Sequence, residues 1–210
     1  MLKINEIYQS VQGESTYVGL PCVFVRLSGC DLRCSYCDTE YAFYEGTKMS
    51  LEEVLQKIKN YDCNLVEVTG GEPLLQKKVY ELFDLLLEQN YEVMLETGGH
   101  ISVEKVPKEV IKIVDVKTPS SKMSHKNFYE NLSLVDEKDE LKFVIGSRED
   151  YAWAKELLAK NNTKGKVLFS PVWNELEPDK LVAWILEDKL QVRFQLQMHK
   201  VIWAAETQGV

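Results

Sequence analysis

Apolar positions along the chain follow two rhythms. Short β-branched or aromatic runs predict strands at Cys22 to Leu27, Leu65 to Thr69, Glu92 to Glu96, Ile111 to Val116, Leu141 to Ile145, Val167 to Ser170 and Val192 to Gln197. The opening Met1-Leu-Lys-Ile-Asn-Glu6 reads as the approach to another. Several of these runs are almost continuously apolar, as strands covered on both faces are. Between them, apolar residues recur at helical spacing. Ser50-Leu-Glu-Glu53 is a capping box opening a helix through Tyr61, with Leu51, Val54, Leu55 and Ile58 on its core face. Tyr80, Leu82, Phe83, Leu86 and Leu87 mark a second helix, Ala152 to Leu158 a third opened by Ser147, and Leu181 to Leu186 a fourth beyond Pro178. Strands alternating with helices predict an α/β class whose parallel strands are joined by helical crossovers. Thr118 to Asp139 has weak periodicity and predicts a long loop or a short irregular helix.

Composition narrows this picture. The 210 residues, 45% hydrophobic and 28% charged, are those of one globular domain spanning 1–210. No apolar run approaches the roughly 20 residues of a membrane helix, and the N-terminus carries no targeting pattern, so a cytoplasmic protein without a membrane partner is expected. With 33 acidic against 25 basic residues, the net charge of −8 has the wrong sign for binding phosphate backbones, and no nucleic-acid partner is expected.

Cys30, Cys34 and Cys37 form a C-x3-C-x2-C triplet. Three thiolates leave one corner of a four-coordinate site open, and an iron–sulfur cluster held by three cysteines keeps one iron free for a small molecule. A structural zinc site would need a fourth ligand, yet Cys22, Cys63, His100, His125 and His199 all stand alone. Five cysteines is an odd number, which disfavours a disulfide framework. Four polar motifs fall at predicted carboxyl ends of strands: Thr69-Gly-Gly-Glu-Pro73, Glu96-Thr-Gly-Gly99, Lys117-Thr-Pro-Ser-Ser121 and Ser170-Pro-Val-Trp173. In βα barrels and related open sheets the loops converge at that edge, so these segments point at one cavity with the cysteine loop.

The cysteine triplet after a strand, with Tyr36 before the last cysteine and Gly70-Gly-Glu-Pro73 after the next strand, resembles the radical S-adenosylmethionine superfamily. The resemblance implies a partial (β/α)6-type barrel, abbreviated because 210 residues is short for eight repeats. It also implies a [4Fe-4S] cluster on Cys30, Cys34 and Cys37 that binds S-adenosylmethionine (SAM), whose reductive cleavage yields a 5′-deoxyadenosyl radical. The cofactor residues it points to are Tyr36, Cys37, Asp38, Gly71, Glu72, Glu96, Thr97, Lys117, Ser121, Ser170, Pro171, Val172 and Trp173. Gly70 and Gly71 would let the backbone approach the ligand, Glu96 and Thr97 would meet ribose hydroxyls, and Lys117 or Lys122, with Ser121, would meet the cofactor carboxylate.

Four further stretches are similar to the 7-carboxy-7-deazaguanine synthase family: Gln9 to Gly19, Arg26 within Phe24 to Cys30, Cys37-Asp-Thr39, and Gln197-Met-His-Lys-Val-Ile-Trp203. That similarity implies 6-carboxy-5,6,7,8-tetrahydropterin as substrate, converted to 7-carboxy-7-deazaguanine and ammonia on the route to queuosine. Val11, Gln12, Gly13, Glu14, Arg26, Thr69 and His199 would contact it, with Arg26 gripping the carboxylate in a bidentate pair. Thr39 would bind Mg²⁺, against the alternative that it merely caps the loop. A homodimer and a flavodoxin-like or other one-electron reductant are also implied. A radical activase of a glycyl-radical protein and a non-catalytic metal-binding module stay open at this point. Ala205 departs from the family pattern and leaves the C-terminal contact to substrate unassigned.

Overall fold

The runs read as strands are strands, and they are laid side by side by helical crossovers. A computed structural model describes residues 1–205 and 207–210. Its strands are β1 (Leu2–Val11), β2 (Pro21–Leu27), β3 (Thr47–Met49), β4 (Leu65–Gly70), β5 (Glu92–Thr97), β6 (Ile111–Asp115), β7 (Glu140–Ile145), β8 (Lys166–Pro171) and β9 (Arg193–Phe194). Among the described residues they form one sheet in the order β3-β1-β2-β4-β5-β6-β7-β8-β9. Pairing is parallel from β2 through β9 and antiparallel where β1 meets β2 and β3. The sheet does not close on itself, so the α/β architecture is the partial (β/α)6-type barrel.

Helices α1 (Leu51–Lys59), α2 (Val79–Glu88), α3 (Asn131–Leu134), α4 (Arg148–Lys160) and α5 (Pro178–Glu187) lie between strands, and α6 (His199–Ile202) follows β9. The capping box of α1 is complete: the Ser50 hydroxyl accepts from Glu53 N and the Glu53 carboxylate accepts from Ser50 N. Packing of α1 on β1, α2 on β5, α4 on β7 and α5 on β8 covers one side of the sheet. Val23, Val25, Leu27, Val66, Val68, Leu95, Val114, Leu141, Phe143 and Phe169 meet Val54, Ile58, Leu82, Phe83 and Leu181 there. The alternate positions Cys22, Phe24, Leu65, Met94, Ile111 and Ile113 build a second, smaller apolar cluster on the other side.

Alternation changes phase once, in β1. Leu2 and Ile4 pack in the helix-side core, and strict period two would send Glu6 and Tyr8 the same way. A bulge between Ile4 and Glu6 shifts the register, setting Glu6 opposite Arg26 and Tyr8 opposite Phe24. Tyr8 then stacks on Phe24 with ring centroids 5.1 Å apart, on the cavity side.

One expected strand is shorter than its apolar run, and the expected loop takes a definite form. The strand foreseen from Val192 to Gln197 shrinks to Arg193–Phe194, because only Leu168 and Phe169 of β8 pair with it. The polar stretch after Thr118 is a loop with two single helical turns and the short α3. Asn131 anchors it: the buried amide accepts from Val103 N and donates to the Gly99 and Ile101 carbonyls. Among the described residues no helix is long and apolar enough to cross a membrane.

Candidate active site

A cavity of about 630 Å³ opens at the carboxyl ends of the strands, within the range of small-molecule sites. Its wall includes Cys30, Cys34 and Cys37 from the loop after β2, Gly71 after β4, Glu96 and Thr97 at the end of β5, Lys117 after β6, and Val172 and Trp173 after β8. Val11, Gln12, Gly13, Glu14, Arg26, Thr69 and His199 line it as well, so the segments read as cofactor-binding and as substrate-binding share one space.

The cysteine loop is fastened on both sides. Cys37 N donates to Cys34 O at 3.2 Å, Ser35 N donates to Ser121 O, and the Ser35 hydroxyl donates to Ser120 O. Gly71 N donates to Leu27 O, and Glu72 N to Gly29 O at 2.7 Å. A Cβ on Gly70, whose φ is +149°, would strike the Leu27 backbone, and one on Gly71 would strike Gly29 O. Both glycines therefore permit a close approach of two backbone segments, Gly70 against the end of β2 and Gly71 against the start of the cysteine loop. Burial raises the Cys30 thiol to about 11 and raises Cys34 as well, so bound iron must displace protons to take them as thiolates. Three thiols facing one cavity, on a loop braced this tightly, fit a cluster.

Charge lines the other half of the wall. Lys142 Nζ lies 3.0 Å from Glu14 Oε2 and 3.4 Å from Asp115 Oδ1, and it also donates to Glu96 Oε1. Asp115 in turn holds Lys117 at 2.6 Å. Burial would raise Glu14, but Lys142, His199 and Gln197 bring its carboxyl below the ordinary range. For Lys117, burial opposes the charge, yet Asp115 keeps the ammonium well above its usual value. Gln12 donates to Glu67, whose carboxyl is pushed up to about 8 by burial and then by Glu96. Asp38 accepts from Lys200 at 2.6 Å and from Gln197 at 3.2 Å; burial works against its charge, but Lys200 and Gln197 lower it to about 2.

A family model described as "Radical SAM superfamily" matches residues 24–180. The 7-carboxy-7-deazaguanine synthase of Chlorobaculum tepidum is 45% identical over all of this chain and 97% of its own length. That of Koribacter versatilis is 43% identical with both chains fully covered. The crystal structure of QueE from Escherichia coli superposes with a TM-score of 0.78 at 25% identity, covering 94% of each chain.

The chain belongs to the radical SAM superfamily, and within it to the 7-carboxy-7-deazaguanine synthase family.

Membership in this family closes the two alternatives, the activase and the non-catalytic metal module. Several individual assignments change with the structure in view. Ser121 does not reach the cavity: its hydroxyl donates to Thr118 O and accepts from Met123 N, which holds the turn under the cysteine loop. Lys122, exposed at φ +60°, is no part of the wall. Glu72 is fully buried and accepts from Leu74 N, Thr97 Oγ1 and Gly98 N, so its side chain braces the loop. Thr97 has thereby given its only hydroxyl proton away and can only accept from a ribose. Ser170 and Pro171 lie behind the wall that Val172 and Trp173 form, and Ser170 Oγ has no hydrogen-bond partner among the described residues.

Arg26 is on the wall, but its fork is partly claimed. Nε donates to Glu6 at 2.7 Å and Nη2 to the Tyr8 hydroxyl at 3.0 Å, because a guanidinium this buried requires a counter-ion. Gly13 is required by His199: a Cβ there would lie 2.6 Å from Nδ1. Tyr36, Asp38 and Thr39 face the cavity as expected. Thr39 makes no side-chain cap to the following turn, and its hydroxyl sits 3.8 Å from Cys37 Sγ.

Sequence reasoning missed Glu6, Tyr8, Tyr41, Glu67, Asp115, Lys142, Gln197 and Lys200, which also line or brace the cavity. A signal existed for some of them. Glu67 and Lys142 interrupt runs otherwise apolar, and a charge inside a buried strand demands a partner. The tail, left unassigned on sequence, folds back so that Ala205 and Thr207 to Val210 join the wall.

Proposed function

We propose that this chain is a 7-carboxy-7-deazaguanine synthase, converting 6-carboxy-5,6,7,8-tetrahydropterin to 7-carboxy-7-deazaguanine and ammonia. The observation that carries the reading is the single cavity on which the cysteine loop and the Gln12-Gly13-Glu14, Arg26, Thr69 and His199 set converge. Cys30, Cys34 and Cys37 hold a [4Fe-4S] cluster. Tyr36, Asp38, the Gly71 backbone, Glu96, Thr97, Val172 and Trp173 surround SAM, and Lys117 faces it with a charge already balanced by Asp115. When bound, cluster and SAM supply one chemistry, a one-electron cleavage that generates a primary carbon radical able to take a hydrogen atom from the substrate.

The chain's own residues bind, orient and exclude water. Glu14 and Gln12 present acceptors and donors to the N–H-rich edge of the pterin. The free Nη of Arg26 offers one hydrogen bond to the substrate carboxylate, with Glu6, Tyr8 and Tyr41 fixing the plane of the guanidinium. Holding the target hydrogen near the radical source in a shielded pocket is the main protein contribution. Thr39 binds Mg²⁺, a hard ion that takes few protein ligands and keeps its waters. The protein acts in the cytoplasm as a homodimer and draws electrons from a flavodoxin-like or comparable carrier.

Anaerobic reconstitution with iron and sulfide, followed by reductant, SAM and the tetrahydropterin, tests this. Mass spectrometry is expected to find 5′-deoxyadenosine together with the deazapurine acid. Deoxyadenosine without the acid would reject the substrate while keeping the superfamily. For Thr39→Ala, stimulation of turnover by added Mg²⁺ is expected to disappear, and undiminished stimulation rules out the Mg²⁺ assignment.

A further inference from the structure

Glu14 reaches the cavity from the loop after β1, Glu96 from β5 and Asp115 from β6, and all three close on one ammonium from β7. Asp115 is the register neighbour of Lys142 across the parallel β6–β7 pair, so the contact is built into the sheet. The Lys142 side chain is 6% exposed. A buried cation needs nearby opposite charge, and these carboxylates provide it.

We propose that Lys142 is a positioning residue that keeps Glu14 an oriented carboxylate for the N–H edge of the pterin; this rests on the reading of Glu14 as a substrate contact. The geometry specifies how. Lys142 Nζ donates to Glu14 Oε2, and Gln197 Nε2 donates to Glu14 Oε1 at 3.0 Å. A carboxylate has about four acceptor sites, so two donors on different oxygens fix its plane and leave about one site free on each. Two parallel N–H donors, as on the amide and amino edge of a pterin, match that remainder.

Removal of the ammonium changes which proton state Glu14 can hold. Glu14, Glu67, Glu96 and Asp115 would then face one another with Lys117, on Asp115, and His199, beside Glu14, as the remaining cationic or titratable partners; Asp38 stands behind Gln197, paired with Lys200. Like charges crowded in a site of low polarity take up protons. A protonated Glu14 is partly a donor and cannot accept from both N–H groups.

The test measures pterin affinity calorimetrically on the cluster-reconstituted protein with SAM, in wild type, Lys142→Met, Lys142→Arg, Glu14→Gln and the Glu14→Gln/Lys142→Met pair, from pH 6 to pH 9. Loss of a charge-assisted contact predicts affinity weakened about 10- to 100-fold in Lys142→Met at pH 7. The deficit relative to wild type is expected to shrink as pH rises and Glu14 ionises. Arginine should restore most of the affinity. Glu14→Gln should weaken binding with no recovery at high pH, and the pair should be no worse than Glu14→Gln alone. Wild-type affinity in Lys142→Met, or a loss that ignores pH and is shared equally by arginine, overturns the role of Lys142 even if Glu14→Gln binds weakly. Wild-type affinity in Glu14→Gln removes the premise instead. Iron content and circular dichroism check each fold, and should Lys142→Met not fold, the arginine variant and Glu14→Gln decide.

Discussion

Lys142 and Phe143 are neighbours in β7, buried to 5% and 0% exposure, and they face opposite sides of the sheet. On the helix side Phe143 lies 5.4 Å from Phe169, ring centre to ring centre, and closes a core held by apolar area and packing. On the cavity side Lys142 is kept in place by three carboxylates. The same contrast recurs at Val66 and Glu67 in β4 and at Leu95 and Glu96 in β5. Both sides are withdrawn from water, Glu96 least with 27% of its side chain exposed, and their physics differs: one side gains free energy by leaving water, while the other pays desolvation and recovers it through mutual pairing. Stability is therefore concentrated on the helix side and recognition on the cavity side. The cavity side is itself graded, with Phe24, Leu65, Met94, Ile111 and Ile113 forming an apolar floor beneath the charged rim.

Substitutions that separate stability from chemistry sharpen this contrast. The largest effect on stability is expected for Phe143→Ala, a loss of about 3–5 kcal/mol in denaturant unfolding. Pterin affinity of the folded fraction should stay near wild type, and a large affinity loss at full stability would break the division between faces. Glu67→Gln probes the opposite side through pH. The Glu67 carboxyl is raised from 4.5 to about 8, so the folded state keeps a proton that the unfolded state has released between those values. Its contribution is present below pH 4.5 and is lost as pH rises toward 8. Glutamine cannot lose a proton, so the variant should gain thermal stability relative to wild type across that window, each ~1 kcal/mol moving the midpoint roughly 2–4 °C. A difference that does not vary with pH would show that Glu67 ionises normally. The smallest effect belongs to Ser50→Ala at the cap of α1, about 1 kcal/mol of stability with turnover unchanged.

Local patterns carried the class of fold and the chemistry of the cysteine loop. Period-two and helical spacing are properties of consecutive residues, so the strands around Val66, Leu95 and Phe143 and the cap at Ser50 were legible without a structure. Cys30-x3-Cys34-x2-Cys37 and Gly70-Gly-Glu-Pro73 are contiguous and were equally legible, as was their meeting at one edge, since parallel strands put successive loops there. Partners were not. That Leu27 and Gly29 press on Gly70 and Gly71, that the Ser121 hydroxyl is spent within its own turn, and that the Glu72 side chain braces the loop are facts of the tertiary structure. The bulge that sends Glu6 to Arg26 shows in the sequence as a shift of apolar phase from Leu2 and Ile4 to Ile7, but which residue Glu6 then meets does not. Lys142 stood in plain view as a charge inside an apolar strand, but which carboxylates answer it depends on strand order and register, and these are set by packing between residues as distant as Glu14 and Lys142.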